Sequence, residues 1–238
     1  MFLYRPNSLV LELSPEVIYV LPNLGSYQAL STSPGGIPEG SLIQWALDTL
    51  MPENKVFIDI GANVGTWTIP FAVSKKVIAV HSFEPQTHVR EALYAGIAFN
   101  RLVEKVIVHK VALGSEEQVG YLDLKIISED GGGSSICSLP TNRWCGSETV
   151  QVETADNVLR HERDIGLIKI DVEGNELEVL QGMSKVLIKN NYPKILFEAW
   201  LIDWYYEKKQ KTFDYLVSLG YKIVNISGYS EVFLAEKV

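Results

Sequence analysis

Cysteine is scarce: Cys137 and Cys145 are the only two in 238 residues. Two thiols cannot build a disulfide framework, and their spacing with the four histidines fits no zinc pattern, so both read as free thiols. No apolar run approaches the roughly 18–20 residues that cross a bilayer. Met1 to Asn7 shows none of the basic, apolar and small-residue regions of a secretory signal, so a soluble cytoplasmic protein is the expectation. Basic charge is also short, with 21 Lys and Arg against 29 Asp and Glu, a formal net charge of −8. Phosphate backbones favour basic surfaces, which argues against nucleic acid as partner or substrate. The densest basic cluster, Lys208-Lys209-Gln210-Lys211, reads as the solvated face of a helix.

What is present is ordinary for a globular chain: 47% hydrophobic and 21% charged residues, enough for one domain with a core that needs no crosslinks. Residues 1–50 stand apart. Leu9–Leu13 and Glu16–Leu21 read as two strands around Ser14-Pro15, Ser31–Gly40 as a loop, and the spacing of Leu42, Ile43, Trp45, Ala46 and Leu50 as a helix capped by Ser41. This region is expected to cap a main domain over residues 51–238.

From Lys55 onward strands and helices alternate. Strands are expected at 56–60, 77–83, from 106, at 167–170 and at 195–197, followed by two late strands at 221–224 and 232–235. Helices are expected at 88–100, 177–187 and 213–219. This order implies an α/β fold with a mostly parallel sheet covered by helices on both faces. Residues 118–154 break the rhythm. Strands at 119–127 and 150–152 with a loop from Gly131 to Ser135 would form an insertion near the ligand edge, suited to a lid.

In such a sheet, ligands bind at the carboxyl ends of the strands, and those ends carry the polar residues. Asp59-Ile60-Gly61-Ala62-Asn63-Val64-Gly65 follows the first strand, where glycines let the backbone approach a ligand closely. Asn63 stands where a dinucleotide fingerprint has its second glycine, and Asp59 suits an ammonium-bearing cofactor better than a pyrophosphate. The same stretch also reads as a plain strand-to-helix turn. Glu84, before Pro85, can accept hydrogen bonds from two ribose hydroxyls, or sit solvated before a proline turn. Asp171 and Glu198 end two further strands. There they can meet, hold a divalent cation, or take a proton from an acceptor. His81 and His109 are candidate bases or hydrogen-bonded structural residues; His88 and His161 read as surface residues. Trp200, Trp204, Tyr205 and Tyr206 either line an acceptor pocket or pack a helix against the sheet.

Four motifs, in order, resemble the FkbM family of methyltransferases: Phe57 to Gly65, Phe83-Glu84-Pro85, Val111-Ala112-Leu113-Gly114, and Ile168 to Glu176. Thr154-Ala155-Asp156 is similar to the family's acidic turn, with Ala155 where Leu is usual. The resemblance runs over roughly residues 41–224 and does not reach residues 1–40. It implies a Rossmann-like class I methyltransferase fold with a seven-stranded sheet and S-adenosylmethionine as cofactor. It further implies O-methylation of a sugar, glycan or natural-product hydroxyl. By position, the Asp59–Gly65 loop, including Gly61, Ala62 and Asn63, would hold the methionine part and Glu84 the ribose. Val111 and Ala112 would border adenine, and Asp171 would sit beside the methyl group.

An alcohol's proton is tightly held, so a base or a metal is expected. Asp171 and Glu198 are the preferred bases, with His81 and His109 behind them. No Pro-Cys pair and no Asn/Asp-Pro-Pro-aromatic tetrad marks a base methylase. Two alternatives stay open: a nicotinamide-dependent oxidoreductase, which Asn63 disfavours, and a cofactor-binding partner protein without catalysis.

Overall fold

The computed structural model describes residues 8–14, 17–23, 39–128, 132–137 and 144–237. Two strands, β1 (Leu9–Ser14) and β2 (Val17–Leu21), form an antiparallel hairpin, and α1 (Gly40–Thr49) follows. The main run is β3 (Lys55–Ile60), α2 (Thr68–Val73), β4 (Val77–Phe83), α3 (Thr87–Phe99) and β5 (Val106–His109). An interruption follows: β6 (Ala112–Leu113), β7 (Gly120–Ile126), β8 (Gly146–Glu153) and the single turn α4 (Ala155–Val158). The chain then continues as β9 (Ile165–Ile170), α5 (Glu176–Gln181), α6 (Ser184–Lys189), β10 (Lys194–Glu198), α7 (Tyr206–Ser218), β11 (Tyr221–Ile226) and β12 (Tyr229–Lys237).

Seven strands form the main sheet in the order β5-β4-β3-β9-β10-β12-β11, in which β12 runs antiparallel to both its neighbours. The parallel strands β5, β4, β3, β9 and β10 therefore present their carboxyl ends along one edge. The central strands β3, β9 and β10 are apolar on both faces, as a doubly covered sheet requires. Phe57, Val80, Leu167 and Leu196 face one core with Ile69 and Phe71 of α2 and Leu93 of α3. Ile58, Ile60, Ile168, Ile170 and Phe197 face the other, with Val179, Val186 and Leu216 of the later helices.

The hairpin is fastened to the first core. Tyr19, Val20 and Leu21 are buried in it, and the Asn100 side chain pairs with the backbone of Ile18 in both directions, at 2.9 and 2.6 Å. Most of the loop expected over residues 31–40, and Gly131 of the glycine loop, lie outside the described residues.

Several boundaries differ from the sequence expectations for definite reasons. Helix α1 starts at Gly40, with left-handed Glu39 preceding it, so Ser41 lies inside the first turn and is not the cap. The helix expected over residues 177–187 is two helices. Gly182 lies between them, at a point where a Cβ would fall 2.0 Å from the Gly114 carbonyl oxygen. The second begins where Asp156 accepts the amide of Val186 at 2.8 Å and of Lys185 at 3.1 Å. Helix α7 begins seven residues before Phe213, so that Lys208 to Lys211 lie on its largely solvated first turns, in keeping with their reading as a helix face. The interruption forms its own sheet, β6-β8-β7, with a small core of Ala112, Leu124, Val150 and Val152.

Candidate active site

The turn after β3 is shaped by what packs against it. Gly61, Asn63 and Gly65 all have positive φ (82°, 49° and 95°), a conformation glycine adopts without strain. The amides of Gly61 and Ala62 both donate to the Phe83 carbonyl, at 3.1 and 3.0 Å, tying the turn to the end of β4. A Cβ at Gly61 would fall 1.8 Å from the Asp171 carbonyl oxygen, so only glycine lets the turn lie against the end of β9.

Glu84 sits at the next strand end, 7% exposed. Its two carboxylate oxygens accept separate backbone amides, Asn63 at 2.9 Å and Gln86 at 2.8 Å. Arg90 braces the same corner by donating to the carbonyls of Glu84, at 3.0 Å, and Pro85. Burial pushes the Glu84 carboxyl up to about 7 against the pull of the two amides and Arg90. Each oxygen keeps lone pairs for further donors.

Glu84 borders a cleft of about 670 Å³. Gly61, Asn63, Pro85, Val111, Ala112 and Asp171, all expected at the site, line it as well. Asp59, Ala62 and Gly65 do not. Asp59 is fully buried, accepts a hydrogen bond from the Thr68 hydroxyl at 2.6 Å, and supports the turn from beneath. Ala62 and Gly65 are joined within the turn by a 2.8 Å backbone bond.

The sequence reading placed the interruption near the ligand edge but, apart from Ala112, did not name the side chains it puts in the wall. Leu124, Ser134 and Ile136 line the cleft. Their loop is pinned to the turn after β9: the Gly133 amide donates to the Glu173 carboxylate at 3.0 Å and the Ser135 hydroxyl to the Glu173 carbonyl at 2.6 Å. Asn175, also in the wall, is buried and exchanges amide hydrogen bonds with Gln118. The broken strand–helix rhythm was the available signal; which of its side chains face the cleft depends on the second sheet.

Beyond Asp171 the chemistry changes. Lys169, another residue the sequence reading passed over, donates to the Asp171 carboxylate at 2.9 Å and to the Gly61 carbonyl at 3.4 Å, with its side chain only 8% exposed. It stands directly across from Asp59 in the β3–β9 register. Glu198, at the end of the adjacent strand, lines the same small cavity as Asp171, so the structure brings the two acids to one place. Lys169 holds Asp171 below the usual carboxylate range against the effect of burial, while burial and the Asp171 charge push Glu198 up to about 10. A smaller cavity of about 240 Å³ opens on this side, lined by Glu39, Trp67, Lys169, Asp171 and Glu198 among others.

His81 and His109 are brought together, but away from the cleft. Neither lines it. The rings stack, with Nδ1 of His81 and Nε2 of His109 2.9 Å apart, and His109 also stacks on Phe83. Burial lowers both to about 4, so both are neutral at physiological pH. Of the aromatic cluster, Tyr205 is buried and donates to Glu176 at 2.5 Å, whereas Trp204 and Tyr206 are exposed. Among the described residues, no group of three or more His, Cys, Asp or Glu is placed to hold a metal ion. Within the same residues, no helix is long and apolar enough to cross a membrane.

The sequence pattern of the methyltransferase FkbM domain matches residues 59–223. The methyltransferase sdnD of Sordaria araneosa is 27% identical over 183 residues, 63% of this chain and 68% of that protein. The solved methyltransferase FkbM of Methylobacillus flagellatus superposes with a TM-score of 0.51 at 16% identity, covering 77% of this chain and 44% of that one. This chain thus spans less than half the length of that relative. An S-adenosylmethionine-dependent O-methyltransferase of Thermotoga maritima gives a TM-score of 0.51 at 13% identity, covering 93% of this chain and 74% of that one. The fold is the Rossmann-like class I methyltransferase fold, with its mostly parallel seven-stranded sheet and helices on both faces.

Proposed function

The chain belongs to the methyltransferase FkbM family, and from that premise we propose that it is an S-adenosylmethionine-dependent O-methyltransferase. Its acceptor, on this proposal, is a hydroxyl of a sugar, glycan or natural product, and its partners are small molecules and not nucleic acid. The observation that carries the cofactor assignment is Glu84, whose carboxylate is fixed by two backbone amides at the cleft wall with lone pairs to spare. Two ribose hydroxyls would donate to it. Val111, Ala112, Leu113, Leu124 and Ile136 give the adjoining wall an apolar character suited to adenine. Gly61 and Asn63 line the same cleft, where the methionine part would lie.

When bound, S-adenosylmethionine supplies an electrophilic methyl group on a sulfonium sulfur, already activated for transfer. The chain's task is then to align the acceptor hydroxyl, exclude water and take up a proton. Asp171 borders both the cofactor cleft and the smaller cavity beside it, which supports it as the proton acceptor. The net charge of −8 supports a non-nucleic-acid acceptor.

Calorimetric titration with S-adenosylhomocysteine, beside NADH, tests the cofactor. Binding of the former alone, weakened in Glu84→Ala, is expected; binding of NADH alone would refute the proposal. Labelled methyl transfer to a panel of glycosides and polyols then tests the acceptor class.

A further inference from the structure

Resting on that reading of the site, we propose that Lys169 and Glu198 are positioning residues: together they make Asp171 the one ionised carboxylate of the pair and hold it toward the acceptor hydroxyl. Three strands supply the arrangement. Lys169 and Asp171 are two residues apart at the end of β9, Glu198 ends the adjacent β10, and Asp59 lies across from Lys169 on β3.

Asp171 and Glu198 end adjacent strands and line the same small cavity, and two carboxyls so placed can share a hydrogen bond only when one of them carries a proton, because an ionised carboxylate only accepts. Lys169 decides which. Its ammonium lies 2.9 Å from Asp171 and almost wholly out of solvent, so the negative charge is stabilised on Asp171 and the proton stays on Glu198. The other charged groups around the pair agree with that division. Glu173, on the turn after β9, is itself pushed up to about 7 by burial and the Asp171 charge. Glu39, before α1, lies in the same small cavity, where its carboxylate accepts the Trp67 indole N–H at 3.0 Å. Burial pushes the Asp59 carboxyl up while the Lys169 charge pulls it down, and among the described residues one of its oxygens has no hydrogen-bond partner.

Glu198 therefore acts as a neutral donor and not as the base. In the transfer, the acceptor O–H bond breaks and an Asp171 O–H bond forms. The acceptor oxygen gains the methyl group, and the donor sulfur keeps the bonding electron pair.

The test needs no acceptor. Carbon-13 spectra of the full chain, labelled at the Asp and Glu side-chain carboxyls, are followed from about pH 5 to 9, where free carboxyls are ionised. One carboxyl is expected to stay protonated across neutral pH and to be missing from Glu198→Gln, while Asp171 stays ionised. In Lys169→Met, the titration of Asp171 should move upward; Lys169→Arg should restore it. Glu198 titrating in the ordinary carboxyl range, or Asp171 unmoved by Lys169→Met, would overturn the proposal. If Lys169→Met does not fold, the wild-type, Glu198→Gln and Lys169→Arg spectra still decide it. S-adenosylhomocysteine affinity is measured in parallel and should stay within about threefold in Glu198→Gln, since a neutral amide can donate the same hydrogen bond. Failure of wild type to bind it would overturn the methyl-transfer reading itself, and the spectra would show separately whether the charge division stands.

Discussion

The two halves of the strand-end edge use the same residue type in opposite ways. Glu84 on the β4 side and Asp171 on the β9 side both close a strand with a carboxylate. Glu84 is held by neutral backbone amides and is pushed upward by burial; Asp171 is held by a buried ammonium and an acid neighbour and is pulled downward. A carboxylate fixed by amides with spare lone pairs is suited to binding hydroxyls. One kept ionised by a lysine, with an acid beside it, is suited to receiving a proton. Position along the edge is the same; the partner sets the chemistry.

The largest effect should come from the seam between the halves. Gly61→Ala forces a methyl group onto the Asp171 carbonyl oxygen at a left-handed position. Denaturant unfolding should show a loss of about 3 kcal/mol or more; a loss below about 1 kcal/mol would mean that the two halves are not packed as described.

Glu84→Ala should spare the fold but weaken S-adenosylhomocysteine by about 30- to 1,000-fold, or about 2–4 kcal/mol for lost hydrogen bonds to a charged group. An affinity within threefold of wild type by calorimetry would remove Glu84 from the cofactor site.

A pH series sharpens the same contrast. With its folded value raised to about 7, Glu84 contributes stability to the free protein that is present below its unfolded value of about 4.3 and lost as pH rises through about 7. Ribose donors favour the ionised form, so S-adenosylhomocysteine should bind more tightly as pH rises toward about 7, by up to about tenfold per unit, then level off. Glu84→Gln should flatten that dependence in a calorimetric series.

Outside both halves, the stacked pair His81 and His109 has folded values lowered to about 4. The unfolded chain takes protons first, so their contribution to stability is whole above about 6.5 and lost as pH falls toward about 4. Thermal melts across that window should fall as pH drops, and less steeply in His81→Phe. Smallest of all, Tyr121→Ser on β7, where the ring is 74% exposed, should change unfolding free energy by under about 0.5 kcal/mol.

Much of the site was legible because strand ends are marked by local signals. Short apolar runs stop at Glu84, Asp171 and Glu198, Asp59 interrupts another one residue before its end, and an acid in or closing a buried strand is conspicuous. Lys169 escaped because a lysine one residue inside an apolar strand looks like an edge exposure; only the neighbouring strands show that it is buried against Asp59 and Asp171. Leu124 and Ile136 escaped because the interruption folds as a separate sheet, and alternation along β7 does not say which face meets the cleft. His81 and His109 look alike as candidate bases in sequence. Their placement beside each other on adjacent strands turns them inward to a shared stack.

By itself, the sequence determined the alternation of strands and helices, the glycines of the first turn and the acids at the strand ends, since these follow from periodicity and backbone freedom within a few residues. Tertiary structure alone decided which acid keeps its charge. Asp59, Lys169, Asp171 and Glu198 come from three strands up to 139 positions apart, and whether a carboxyl is ionised depends on the charge and solvent around it, which only the folded sheet brings together.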